Sequence, residues 1–135
     1  IRDRGGFDPC EILDQAAIRD AAMAGSADSA GGEGLYACKW MADNSVAVTV
    51  SFEVGALGSG SVPPVDLAGV PGIVAQVSAD PPTCAVGWEH RKNANANGES
   101  EIVQIEIMNM GRVPMDPCAN ATKLAQQARA KLPTA

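Results

Sequence analysis

Val46-Ala47-Val48-Thr49-Val50-Ser51-Phe52-Glu53-Val54 places larger apolar residues at every second position, with small or polar residues between them. Successive side chains of a strand point to opposite faces, so this period of two describes a strand with one buried face. The rest of the fold is read outward from it. Ala42-Asp43-Asn44-Ser45 is a turn, and residues 35–41 before it read as a partner strand. After it, residues 55–72 are rich in Gly, Ser and Pro. That segment is too long for a tight turn and reads as an excursion from the sheet. Strands are expected again at 73–78, 84–90 and 101–110. Asp80-Pro81-Pro82 breaks the first pair and Asn97-Gly98 turns the second. The sheet should therefore have about five strands, mainly antiparallel.

A helix flanks this sheet region at each end, and both begin with the same tripeptide. In Asp8-Pro9-Cys10-Glu11 the aspartate is a good N-cap, proline suits the first helical position, and Glu11 completes a capping box. Cys10, Leu13, Ala17 and Ala21 then share a face at helical spacing, and Gly25 is a stop. Residues 26–34 read as a loop of small residues. Asp116-Pro117-Cys118 repeats the start, Ala121, Ala125, Ala128 and Leu132 share a face, and Pro133 ends the second helix. The class is α+β, with both helices packed on the sheet.

The 135 residues fit one domain, residues 1–135, with residues 1–6 a flexible lead-in. Hydrophobic residues are 46% of the chain and aromatics only 4%, so the core is built from aliphatic side chains, which gain from covalent support. A net charge of -6, with no run of Lys or Arg, disfavours nucleic acid and anionic lipid as partners. No stretch of about 18–20 apolar residues could span a membrane.

Cys10, Cys38, Cys84 and Cys118 are an even set with no Cys-x-x-Cys spacing, and His90 is the single histidine. A structural zinc site needs close-spaced ligand pairs, so two disulfides are expected and no metal or other cofactor. Disulfides imply an oxidising compartment, reached through a secretory signal upstream of Ile1. Four cysteines allow three pairings. The local one, Cys10–Cys38 with Cys84–Cys118, ties each helix start to a strand in its own half. Each such loop constrains the unfolded chain by about 3.5–4 kcal/mol. A reactive thiolate at a helix start is disfavoured by the neighbouring Asp8 and Asp116.

No catalytic residue is assigned. His90, between Glu89 and Arg91, reads as a solvated strand-end histidine, and no serine has a Gly-x-Ser-x-Gly context. The expected contact surface is the open sheet face with the 55–72 excursion. Leu57, Val62, Val65, Leu67 and Val70 either cap the core or present that surface, and Trp40 and Trp88 either cover the disulfides or line a groove.

Three stretches together resemble a known family: Phe7-Asp8-Pro9-Cys10-Glu11-Ile12-Leu13; Cys38-Lys39-Trp40 before the Val-rich strand; and Leu67-Ala68-Gly69-Val70-Pro71-Gly72 leading to Cys84. The chain resembles the DUF3558 cell-envelope lipoproteins of actinobacteria, mycobacteria included. The resemblance implies export, a lipidated cysteine upstream as the only link to the membrane, and a position on the outer face of the plasma membrane. It implies a non-catalytic domain that binds an envelope membrane-protein complex, a glycolipid or a cell-wall ligand. The alternatives are an enzyme acting on envelope glycan or lipid, an accessory or sensor domain of a membrane complex, and a thiol-redox protein.

Overall fold

A computed structural model describes residues 10–32, 37–55, 64–91 and 98–132. The described elements run α1 (Gln15–Ala22), β1 (Ala27–Gly32), β2 (Ala37–Ala42), β3 (Val46–Gly55), β4 (Val65–Leu67), β5 (Val70–Ala79), β6 (Pro82–Arg91), β7 (Ser100–Asn109) and α2 (Pro117–Lys131). The strands form one sheet in the order β1-β2-β3-β7-β6-β5-β4, with every pairing antiparallel. The class is α+β as expected, but the strand count of about five is corrected to seven among the described residues.

The two added strands have different causes. β1, Ala27-Asp28-Ser29-Ala30-Gly31-Gly32, lacks apolar alternation and was expected to be loop; it is an edge strand held by pairing to β2, Ala27 opposite Ala42 and Asp28 opposite Met41. β4 lies inside the 55–72 excursion. Ala68 and Gly69 have φ of 52° and 93°, so they make a two-residue hairpin turn that sets Leu67 opposite Val70. The Asp66 carbonyl accepts a hydrogen bond from Gln126 Nε2 at 3.0 Å, which ties this hairpin to α2.

Both helices pack on one face of the sheet, α1 over β1–β3 and α2 over β4–β7. That face carries the core: Cys38, Trp40, Val46, Val48, Val50 and Phe52 from β2 and β3, Cys84, Val86 and Trp88 from β6, and Val103, Ile105 and Ile107 from β7. Ala121, Leu124, Ala125 and Ala128 are the buried side of α2. Small alanines let this helix lie close to the strands.

Asp116 caps α2 as expected, accepting from Cys118 N at 3.0 Å and Ala119 N at 3.2 Å. The start of α1 is corrected. Its N-cap is Asp14, which accepts from Ala17 N at 2.8 Å, and Cys10 lies in a turn before the helix. Asp8 lies outside the described residues. Ile12 and Leu13 are each only 4% exposed, so this turn is itself packed into the core. The C-terminal carbonyls of α1 are taken up by side chains from elsewhere. Asn44 Nδ2 donates to Ala22 O at 2.8 Å, and Asn120 Nδ2 donates to Ala21 O at 3.0 Å.

The cysteines pair as Cys10–Cys38 and Cys84–Cys118, with Cα separations of 5.1 and 5.0 Å. Each staple joins a helix approach to β2 or β6, the strands that flank the central β3–β7 pair. No helix among the described residues is long and apolar enough to cross a membrane.

Candidate functional site: the open sheet face and the β6 bulge

With both helices on one side, the other face of the sheet is built from the small and polar residues that alternate with the core. The register arranges them in rows. Lys39, Thr49, Glu106, Ala85 and Ala75 form one row across β2, β3, β7, β6 and β5. Ala37, Ser51, Gln104, Gly87 and Ile73 form the next. Toward one end lie Met41, Ala47, Met108 and Thr83; toward the other, Glu53, Ile102 and Glu89. The centre of this face is therefore a low floor of Ala, Gly, Ser and Thr, with Met at one end and carboxylates at the other.

Glu106 stands in that floor between Thr49 and Ala85. Burial holds its carboxyl above the usual range; Lys39 acts against that shift and Glu53 acts with it. Met41 is 36% exposed on the same face. Methionine surfaces adapt their shape to a partner, whereas Ala47, Thr83 and Ala85 in the floor are only 3%, 2% and 7% exposed.

A second polar group lies on the helix side, at the Phe52 end of the sheet. Glu89 pairs with Ile102 but Arg91 pairs with Glu101, so His90 is an extra residue in β6 and the strand bulges there. Such a bulge changes the direction of its side chains. His90 is 7% exposed and Glu101 5%, and the His90 ring faces Phe52 at 6.3 Å. Arg91 Nε lies 3.8 Å from Glu101 Oε1 in an ion pair. The expectation that His90 is solvated is therefore corrected. The bulge turns it inward, and the run of charges around it gave no sign of that.

The expected contact residues separate. Leu67 and Trp88 are fully buried and Trp40 is 5% exposed, so these three belong to the core and not to a surface. Val65 and Val70 are partly buried against the same core. Leu57 and Val62 lie outside the described residues. The excursion caps the core with its β4 hairpin. Glu106, with Lys39, Thr49 and Gln104, was missed as a site; its one sequence signal was the alternation Val103, Ile105, Ile107, which sets Gln104 and Glu106 on the opposite face.

Depressions are found among the described residues on the helix side. A cleft of about 260 Å³ runs between the helices past Asp20, Met23, Asn120 and Lys123, and an open groove follows Val65, Val74, Cys118 and Thr122. Among the described residues no group of His, Cys, Asp or Glu is arranged to hold a metal ion.

No curated protein and no solved structure matches this chain. The two disulfides point to an extracytoplasmic, oxidising location. A family model described as a protein of unknown function, DUF3558, matches residues 2–131, and the chain belongs to that family.

Proposed function

We propose that this chain is a non-catalytic, exported cell-envelope domain, held at the outer face of the plasma membrane by a lipid on an upstream cysteine. It docks a membrane-protein complex through the open face of its sheet. The observation that carries this reading is the arrangement of that face: a floor of small residues around the half-buried Glu106, with Met41 and Met108 at one end and Glu53 and Glu89 at the other. A partner segment that presents a Lys or Arg among apolar side chains complements it. The cation meets the Glu106 carboxylate, and the apolar groups lie against Met41, which is exposed, and the partly buried Met108. Ionising a half-buried carboxyl is costly alone and favourable beside a partner cation, so binding and deprotonation support each other.

The test is capture from detergent-solubilised envelopes of the cells that make the protein, with the full chain immobilised. Glu106→Lys reverses the charge in the middle of the sheet face, and Lys123→Glu does so on exposed α2. The reading expects a captured membrane protein to be lost with Glu106→Lys and kept with Lys123→Glu. The opposite pattern would move the interface to the helix side.

A further inference from the structure

The seam between α1 and α2 carries an inference that does not depend on the sheet-face reading. At one end of the seam Asp14 Oδ2 pairs with Lys131 Nζ at 3.9 Å, and at the other Asn120 Nδ2 donates to Ala21 O at 3.0 Å. The helices therefore run antiparallel, with both ends of the seam tied. Between the ties α1 presents Ala17 and Ala21, one turn apart and too small to fill the space, and the cleft of about 260 Å³ results. The buried Ala21 and Leu124 close its bottom, while half-buried Ala17 and Met23, 57% exposed, are its apolar walls. Asp20 lines it from the last turn of α1, and Lys123 and Gln127 line it from α2. Among the described residues these three side chains have no hydrogen bond or ion pair, although Asp14 and Lys131 of the same two helices meet.

We infer that this cleft binds a small zwitterion of the α-amino-acid class, its ammonium on Asp20 and its carboxylate on Lys123 and Gln127. A carboxylate only accepts and an ammonium only donates, so each wall asks for the opposite group. A simple anion would be repelled by Asp20 and a simple cation by Lys123. A ligand that carries both signs satisfies both helices, and the Gln127 amide adds N–H donors to its carboxylate. Asp20 stands in the last turn of α1, so the negative pole of that helix also favours an ammonium there. The volume sets the size of the ligand. Drug-sized ligands occupy roughly 300–1,000 Å³, so about 260 Å³ suits a single amino acid or a dipeptide. Met23, apolar and flexible, gives the ligand's side chain an adaptable wall. Exposed ion pairs are individually weak, so the affinity lies in the millimolar range.

The test is nuclear magnetic resonance of the uniformly 15N-labelled chain. The backbone amides of Asp20 and Lys123 and the side-chain amide of Gln127 report on the cleft, and the Thr49 amide reports on the opposite face. Leucine and glycyl-leucine are titrated in, beside 4-methylpentanoate, which is leucine without its ammonium, and 3-methylbutylamine, which is leucine without its carboxylate. The inference expects leucine or glycyl-leucine to move the cleft signals saturably while the Thr49 signal stays in place. Each one-charge analogue should bind at least about threefold more weakly. Tighter binding of leucine assigns a free amino acid, and tighter binding of glycyl-leucine assigns a dipeptide. Asp20→Asn and Lys123→Gln should each weaken the response about threefold. Both side chains are exposed, so neither change disturbs the core. Cleft signals that neither zwitterion moves would overturn the inference. So would a one-charge analogue that binds as tightly as leucine, or a response that neither variant alters.

Discussion

Removing the Leu67 side chain tests whether the β4 hairpin caps the core or offers a surface. Leu67 is fully buried beneath the turn that joins β4 to β5. A Cβ added at Gly72, across the hairpin, would fall 2.3 Å from Leu67 Cδ1 and 2.7 Å from Leu67 Cγ. Leucine therefore fills the space that a side chain at 72 would need. Leu67→Ala deletes three buried carbons at about 0.8 kcal/mol each, and the residual cavity adds to that, giving about 3 kcal/mol. Gly72→Ala forces the methyl into Leu67 and costs about 2 kcal/mol through overpacking. The two changes relieve each other, because the new methyl occupies part of the space the leucine vacates. The double variant should lose only about 3 kcal/mol, a coupling of about 2 kcal/mol. At about 0.28 kcal/mol/K of unfolding entropy for a chain this long, Leu67→Ala lowers Tm by about 10 °C. Guanidinium unfolding of the four chains, with disulfides intact, measures the cycle. Single losses below about 0.5 kcal/mol, or additivity within that margin, would refute the packing account and return Leu67 to the surface.

Further outcomes follow from the same geometry. Replacing Cys84 and Cys118 together by Ala should cost about 3.8 kcal/mol, and Cys10 with Cys38 about 3.6 kcal/mol, from closed loops of 34 and 28 residues; urea unfolding measures both. Gly111→Ala would set a Cβ 1.9 Å from the Asn44 carbonyl oxygen, where Gly111 N bonds Ser45 O, and should destabilise by about 2–3 kcal/mol in thermal unfolding. Asn109 is 2% exposed and both donates to Val113 O at 2.8 Å and accepts from Val113 N at 3.0 Å; Asn109→Ala should cost about 2–3 kcal/mol and loosen the β7–α2 connection to hydrogen exchange. Glu106 keeps its proton to higher pH folded than unfolded, so its contribution to stability falls as pH rises above 4.5. Glu106→Gln should then match the parent at about pH 4 and exceed it at about pH 7 in urea titrations. A variant that is weaker at the higher pH would reverse the assigned direction.

The parts of the fold legible in the sequence are those where a local pattern and the tertiary environment agree. Val46 to Val54 alternates because one face of β3 is core, and Asp116-Pro117 begins α2 because nothing competes with the cap. Local signals failed where distant contacts decide. Cys10 must reach Cys38 near the start of β2, so residues 10–13 pack as a turn and the helix waits for Asp14. β1 is a strand because β2 offers it an edge, while its own composition of Ala, Asp, Ser and Gly disfavours one. β4 was hidden in a Gly/Pro-rich stretch; of its turn pair only Gly69 suits a positive φ, and Ala68, at φ 52°, gives no turn signal. The open face is the complement of the core alternation, so it was half-written in β3 and β7. Its rows required the strand register, which places Glu106 between Thr49 and Ala85.

Site-specific photo-crosslinking in the cells that produce the protein tests the central claim most directly. A benzophenone amino acid is placed at Thr49 and Gln104 on the sheet face and at Gln127 on the outer side of α2, and the cross-linked peptides are sequenced. The account predicts that Thr49 and Gln104 join one membrane-protein segment bearing Lys or Arg among apolar residues, and that Glu106→Gln reduces the yield. Adducts that form from Gln127 while the sheet-face positions stay silent would contradict it.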